Sequence, residues 1–161
     1  MANPIFLELA TQKGGAIKDP DQNKPSFKNQ ILVYKFDQKL EMSVNYNNAH
    51  AGSRARPEPI KFIIPMGCYE VELKQACLSG DSITNAVFSF PVMDKTGVEK
   101  NIYTVKATGG IITKVRRVSP EVWQKDTENQ PVVVEVEMSY EKLEEHDLVH
   151  SKQMSYNWQE L

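Results

Sequence analysis

The stretch QPVVVEVEMSYEKLEEHD, residues 130–147, decides the fold class, because its apolar residues recur at every second position. Successive side chains of a β-strand point to opposite faces, so this spacing predicts a strand with one apolar face and one mixed face. The apolar face carries Val132, Val134, Val136, Met138 and Tyr140, and the other carries Val133, Glu135, Glu137 and Ser139. The first face requires a core, and the second requires solvent or a partner.

Similar apolar or alternating runs recur along the chain and are separated by turn sequences such as DPDQNKP and DKTG. They span residues 4–9, 31–36, 39–46, 60–64, 83–92, 98–108, 111–118, 132–143 and 154–158. Gly109 and Gly110 fit a tight turn or bulge between two of these runs. So many strands in a chain of 161 residues predict a mainly β, single-domain antiparallel β-barrel, which also leaves few edges open to aggregation.

One segment, CYEVELKQACLSG, departs from the strand pattern. Tyr69, Leu73, Ala76 and Cys77 recur at helical spacing, two glutamates lie near the start, and Gly80 fits the stop. We therefore expect one α-helix over about 68–79, with its apolar stripe closing one side of the barrel.

The connection NYNNAHAGSRARPEP is too long for a hairpin turn and predicts an extended loop over about 46–59. Because the loop has too few apolar residues to pack on its own core, we expect it to be poorly ordered in a free subunit and to dock on a neighbouring copy. Pro57 and Pro59 hold the chain extended and limit the entropy lost on docking. The candidate contact residues in the loop are His50, Arg54, Arg56 and Glu58, and the candidate acidic partners are Glu141, Glu144 and Glu145. The alternative is that both charge runs are simply solvated.

Composition argues against several classes of partner. The 19 basic and 21 acidic side chains give a net charge of -2, without the excess positive charge of a nucleic-acid binder. Cys68 and Cys77 fit small apolar fillers better than a disulfide or a zinc site. No run approaches the length of a membrane span, and MANPIFLEL lacks the basic start and long apolar run of a signal peptide. We expect no membrane insertion.

The patterns that suggest chemistry are incomplete. His146 and His150 have the i, i+4 spacing of metal ligands on a helix, but they follow a strand and lack further ligands at compatible spacing. The glutamate pairs 135/137 and 144/145 have no evident pocket. The double glycine is followed by another β-rich run rather than by a phosphate-binding helix. The sequence therefore predicts no catalytic site, no metal, no cofactor and no enzyme.

Several longer stretches resemble one known family. ELKQACLSGDSI, followed by NAVFSFPVMDKTGVEKNIYTVKATGGIITKV, resembles the helix, its junction and the ensuing hairpin of the haemolysin-coregulated protein (Hcp) family, the tube subunit of the type VI secretion system. MANPIFLEL is similar to the opening strand of that family. VVVEVEMSYEKLEEHD and the closing SYNW resemble its late strand, its acidic and aromatic turn and its final Trp-bearing strand. The resemblance covers nearly the whole chain, as one tube domain over 1–161.

This resemblance implies a β-barrel assembled into hexameric rings that stack into a hollow tube. The partners would be other copies of the chain, a spike protein of the valine-glycine-repeat family, the contractile sheath and secreted effectors carried in the lumen. Assembly in the cytoplasm without a signal peptide would precede secretion by the type VI machine. In the strand ILVYKF we expect Leu32, Tyr34 and Phe36 to fill the barrel and Val33 and Lys35 to face the lumen.

Two other functions fit the same strand pattern. A free-standing cytosolic β-barrel that binds a small ligand would be a monomer or dimer with a hollow interior. A phage-type tail-tube protein would share the barrel and the ring assembly. The state of association separates the first of these from a tube subunit.

Overall fold

The computed structural model describes residues 3–52, 55–125 and 130–157, and of Arg56 it describes the backbone alone. A short 3-10 helix spans Pro25–Phe27, and the α-helix α1 spans Tyr69–Ser79. The strands, in chain order, are β1 (Ile5–Thr11), β2 (Gly15–Ile17), β3 (Ile31–Val33), β4 (Lys35–Asp37), β5 (Leu40–Glu41), β6 (Val44–Asn45), β7 (His50–Ala51), β8 (Arg56–Pro57), β9 (Ile60–Pro65), β10 (Ile83–Met93), β11 (Glu99–Thr108), β12 (Ile112–Val118), β13 (Val133–Met138), β14 (Lys142–Asp147) and β15 (Lys152–Asn157).

Two antiparallel sheets wrap around one core. The large sheet has the strand order β15-β14-β11-β10-β1-β2, with β3 also paired to β1, and the small sheet has the order β12-β13-β9-β4. The two sheets are not closed into one continuous ladder of strands. The prediction of a mainly β single domain with one helix is confirmed, in the form of a barrel assembled from two sheets.

The core lies between the sheets and is filled by side chains. Phe88 of the large sheet lies between Phe36 and Phe62 of the small sheet, with ring centroids 4.7 and 5.3 Å apart. Such tilted and edge-to-face arrangements are the favoured geometries of aromatic pairs. From the stretch that opened the sequence analysis, the residues Val134, Val136, Met138 and Tyr140 are all buried, so the apolar face of that strand is confirmed.

The run 132–143 is two strands rather than one, because the chain passes from the small sheet to the large sheet at residues 139–141. This crossing lies against the crossing between β11 and β12, where Gly109 has a φ of 83°. A Cβ built on Gly110 would come within 1.8 Å of the Ser139 carbonyl oxygen. The double glycine therefore serves the connection between two strands, as predicted, at a corner where two segments of backbone touch.

The helix is confirmed with almost the predicted bounds. It packs between the edge strands β12 and β2 and so covers the gap between the two sheets. Tyr69, Leu73 and Ala76 are buried, and Gly80 ends the helix in the left-handed conformation.

The helix also buries one charged side chain, that of Glu70. Its carboxylate accepts a hydrogen bond from Arg117 Nε at 2.8 Å and lies 3.1 Å from Lys74 Nζ. Burial raises the pKa of Glu70, but the hydrogen bonds from Arg117 and Lys74 outweigh it and hold the pKa below its ordinary value.

The expected orientation of ILVYKF is wrong for Val33. Val33 is buried in the core, whereas Tyr34 is half exposed. At Tyr34 the chain leaves its pairing with β1 and joins β9, where the Tyr34 amide donates to the Ile63 carbonyl oxygen at 2.8 Å. Because the alternation slips by one residue at this change of partner, Tyr34 and Lys35 are both exposed and Phe36 turns back toward the core.

The segment 46–59, which was expected to be an extended loop, belongs to a longer hairpin that projects from the barrel. It contains the tip of this hairpin and the limb that returns to the barrel. Strand β5 pairs with β8 and β6 pairs with β7, so the described residues 40–52 and 55–57 form two antiparallel limbs that leave the barrel between β4 and β9. The tip is a turn in which Ala49 has a positive φ and its amide donates to the Asn45 carbonyl oxygen at 2.9 Å. The described part of the connection is therefore paired backbone. We call residues 40–57 the arm.

Candidate functional site

The outgoing limb of the arm carries an apolar row without a core beneath it. Leu40 of β5 and Val44 of β6 are followed by Met42 and Tyr46 in the irregular positions of this limb, so an apolar side chain occurs at every second residue. Their exposed fractions are 42, 48, 49 and 99 %. An apolar row of this kind on a projecting element is typical of a surface that another molecule covers. The sequence predicts a strand over 39–46 from this alternation, and the structure forms two short strands there, β5 and β6.

The base of the arm is fixed to the barrel. Tyr156 of β15 donates from its hydroxyl group to the Ala55 carbonyl oxygen at 3.1 Å. Lys39 lies 3.3 Å from Glu41 and 3.9 Å from Glu58 at the point where the two limbs meet the barrel. The hydrogen bond from Tyr156 joins the returning limb to the large sheet, and the contacts of Lys39 join the two limbs to each other.

The predicted contact residues of the loop divide into three groups. His50 is exposed on β7, and Glu58 lies beside Lys39 at the base of the arm. The backbone of Arg56 pairs with Glu41, while its side chain is outside the described residues. Arg54 also lies outside the described residues. The docking role of all four residues stays a prediction.

The predicted acidic partners do not form a single turn, since two of them lie in strand β14. The hydrogen bond from Lys142 holds the pKa of Glu144 below its ordinary value. Glu145 points to the opposite face of the strand, where its carboxylate accepts a hydrogen bond from the Tyr103 hydroxyl at 3.1 Å. Glu141 precedes the strand and lies over Gly109. The structure therefore distributes the three carboxylates over two faces.

A second group of exposed apolar side chains lies at the end of the barrel opposite to the arm. We call this the far end. The arm joins the barrel at Ile60, the first residue of β9, and Met138 and Thr108 lie at the same end of the barrel. The far end consists of the connections at the other ends of the strands. These are the turns after β10, β12 and β14 and the segment that enters the helix. Its exposed apolar residues are Met66, Met93, Val98, Val122, Trp123, Leu148 and Val149. Sequence reasoning missed them because they lie at strand ends and in connections, where isolated apolar residues carry no periodic signal.

The outer face of the small sheet is charged and internally paired. Lys61 and Lys114 approach the carboxylate of Glu137 to 4.0 and 3.6 Å, and Arg116 lies 3.3 Å from Glu135. The glutamates on the mixed face of residues 133–139 therefore form ion pairs with basic side chains of the two neighbouring strands. Lys35 lies exposed on the same face, as expected, and whether this face borders a lumen stays a prediction.

Other groups that could have carried chemistry are dispersed. His146 lies in β14 beside Gln153, and His150 lies in the following turn. Across the described ranges, no group of three His, Cys, Asp or Glu side chains is placed to hold a metal ion. Both cysteines are free, and Cys68 is exposed instead of filling the core. Within those same ranges no helix is long and apolar enough to cross a membrane.

Comparison with known proteins decides the family. The family model described as "Type VI secretion system effector, Hcp" matches residues 7–146. The chain belongs to the Hcp family. Membership makes the chain a β-rich structural protein of the type VI secretion system. Comparison with curated protein sequences gives no match.

Solved Hcp structures share the fold over the full length. A crystal structure described as an Hcp protein is 16% identical, covers 98% of each chain and has a TM-score of 0.88. Hcp1 from E. coli EAEC 042, solved with two introduced tryptophans, is 20% identical over 98% of this chain and 99% of its own, with a TM-score of 0.85. Hcp1 from Salmonella typhimurium is 20% identical over 99 and 97%, with a TM-score of 0.72. At these identities the likeness concerns the fold.

Proposed function

We propose that this Hcp-family chain, over residues 1–161, is the structural subunit of the inner tube of a type VI secretion system. In this proposal hexameric rings stack into a hollow tube that is secreted with or around effector cargo. The spike protein of the valine-glycine-repeat family and the contractile sheath are the other partners. The subunit assembles in the cytoplasm and is then exported by the type VI machine, without a catalytic role.

The observation that supports stacking is that exposed apolar side chains occur at two opposite ends of one barrel, in addition to those on the outer side of the helix. The arm carries one set at the end where β4 leaves the sheet, and the far end carries the other. Two different patches on opposite ends can bind each other only between copies arranged head to tail. A head-to-tail contact leaves an arm free at one end and a far end free at the other, so it repeats without limit. That is the geometry a tube requires.

Ionic contacts are proposed to add to this apolar contact. Arg54 and Arg56 carry planar guanidinium groups that suit carboxylate partners, and the region of Glu141, Glu144 and Glu145 is one candidate. A single exposed ion pair contributes about 0–1 kcal/mol, but a symmetric ring repeats it at every subunit.

The proposal is tested by removing the apolar row of the arm. The variant Met42→Ser/Val44→Ser should melt as the wild type does, since both side chains lie outside the core. It should form much shorter stacks in electron micrographs, and less of it should be secreted, because the covered apolar area falls. The matched control is Val71→Ser/Leu78→Ser, which removes two exposed apolar side chains from the helix.

The control variant should stack and be secreted normally. Stacks of wild-type length from the arm variant would remove the arm from the mechanism. Equal loss in both variants would indicate a general effect of surface hydrophobicity instead of a specific contact.

The structure does not favour the small-ligand barrel. That alternative predicts a hollow interior, yet Phe62, Phe88, Leu143 and Ile64 fill the space between the sheets and are 0–2% exposed.

A further inference from the structure

The three histidines of the chain all lie at the two surfaces that the proposed stacking brings together. His50 is exposed on β7 of the arm. His146 is exposed next to the last residue of β14, and His150 is exposed in the turn that follows, at the far end. Histidine is the side chain whose charge changes between about pH 5 and 8, so both surfaces change their charge in this range.

The two surfaces carry opposite net charges while the histidines are neutral. The arm contains two basic residues and one acidic residue, which give it a net charge of +1. The connections of the far end, taken as residues 66–68, 94–98, 119–132 and 146–152, contain three basic and five acidic residues, which give a net charge of -2. Opposite charges favour contact between the two different ends. Protonation of the three histidines makes the arm +2 and the far end neutral, so this attraction is lost.

His146 lies on a face of β14 that cannot neutralise an added positive charge. Glu144 shares this face, but its carboxylate lies 2.7 Å from Lys142 Nζ and is therefore already paired. The nearest residues of the neighbouring strands on this face are Thr104, Lys106, Gln153 and Ser155. Among them the charged residue is a second lysine, so protonation of His146 adds to a positive surface.

His150 lies in a turn whose other charges balance. The Asp147 carboxylate accepts hydrogen bonds from the amides of Val149 and His150 at 3.0 and 3.3 Å. Asp147 faces Lys152 on one neighbouring strand and Tyr103 on the other. Because the charges of Asp147 and Lys152 cancel, a proton on His150 gives this turn a net positive charge.

His50 is the corresponding group on the arm. It faces Asn45 of β6, and neither β6 nor the tip of the arm contains a carboxylate. Between Glu41 and Arg54 no other side chain changes its charge near neutral pH. Protonation of His50 therefore increases the positive charge that the two arginines already give the arm.

We infer that the head-to-tail contact between stacked copies is a pH switch, closed while His50, His146 and His150 are neutral and opened when they are protonated. The inference rests on the proposed function, because it concerns the regulation of the stacking contact. A single exposed charge contributes little, but a ring repeats the contact at every subunit, so the small contributions act together. The tube should separate into rings in mild acid while the subunits stay folded.

The test compares stacking of the wild type at about pH 7.5 and about pH 5.5 by analytical ultracentrifugation. The protein concentration needed for stacking should rise at least about tenfold in acid. Added salt should restore part of the stacking in acid, because it screens the repulsion. Thermal melting at both pH values follows the fold, and unfolding in acid would overturn the inference.

The variant His50→Asn/His146→Gln/His150→Asn removes the groups that change their charge. Its concentration for stacking should differ by less than about twofold between the two pH values. Acid sensitivity equal to that of the wild type would overturn the inference. Loss of stacking at neutral pH would also overturn it, because the rings of the histidines would then act through packing instead of charge.

A second variant, His146→Lys/His150→Lys, imposes the positive charge of the acid state at every pH. It should stack poorly already at neutral pH, and stacking like that of the wild type would contradict the switch. The matched control Gln75→Lys/Leu78→Lys adds the same charge to exposed positions of the helix, away from both ends, and should stack normally. An equal loss in the control would show a general effect of net charge and overturn the inference.

The outcomes separate this inference from the function on which it rests. Rings that never stack at neutral pH would refute the stacking in the proposed function and the switch together. Stacks that form at neutral pH and persist unchanged in acid would refute the switch alone.

Discussion

Glu70 is a buried charge that ties the helix to the small sheet. Its carboxylate is held by Arg117 of β12 and by Lys74 one helical turn later. Glu70→Gln keeps the shape but loses charge-assisted hydrogen bonds, which should lower the free energy of unfolding by about 2 kcal/mol. Glu72→Gln, an exposed neighbour on the same helix, should change it little. Urea unfolding of both variants measures the difference, and equal stabilities would contradict this role of Glu70.

The same carboxylate makes stability depend on pH. Since the pKa of Glu70 is lower in the folded protein than in the unfolded chain, its contribution is complete above its ordinary value of about 4.3 and is lost as pH falls through the folded pKa. The stability gap between wild type and Glu70→Gln should therefore be constant near neutral pH and close in acid. A gap that widens on acidification would show that the sign is wrong.

Gly110 lies where the connection between β11 and β12 contacts the connection between β13 and β14. A methyl group there would overlap the Ser139 backbone, which cannot move without breaking the hydrogen bond from the Ser139 amide to the Ile111 carbonyl oxygen. Gly110→Ala should cost more than about 4 kcal/mol. Gly97→Ala, where φ is 83° and the space is open, should cost about 1 kcal/mol. Thermal melting compares them, and a mild effect at Gly110 would mean that the corner can separate.

At the scale of elements, alternation and helical spacing in the sequence predict the type of an element and which of its faces is buried. The helix, its stop at Gly80 and the buried face of β13 follow from periods of 3.6 and 2 residues. The slip at Tyr34 and the crossing at 139–141 do not, because no Gly or Pro marks either point. Both depend on which strand the chain pairs with next, a property of the whole sheet.

The arm shows the same limit. Its length and charges predicted a functional connection, but its pairing was hidden because β5 to β8 have only two residues each. The alternation of Leu40 to Tyr46 is that of a core strand, and only the structure places it outside the core.

The arm also carries a prediction about charge. Arg54→Glu/Arg56→Glu should leave the melting temperature unchanged if the arm lies outside the folded core, and it should shorten stacks most at low salt, where screening is least. Thermal melting and stack length in micrographs are measured on the same sample. Normal stacks would remove the arginines from the contact, and a collapsed melting curve would assign them to the fold.

The whole molecule is polar along its axis, because the arm and the far end carry different apolar surfaces at opposite ends of the barrel. A far-end variant, Leu148→Asp/Val149→Asp, should stack as poorly as Met42→Ser/Val44→Ser. In a mixture of the two, the far-end variant supplies the intact arm and the arm variant supplies the intact far end. These surfaces can join one particle of each variant, but the resulting pair has no intact surface left. Pairs should therefore form and long stacks should not. Long stacks in the mixture, seen by analytical ultracentrifugation, would contradict the head-to-tail arrangement.

The most direct test of the tube assignment is the mass and shape of the purified wild-type protein. Size exclusion with light scattering, followed by negative-stain imaging, should give particles of about six subunits with a central hole, and stacks of these rings as concentration rises. A clean monomer at high concentration would contradict the assignment.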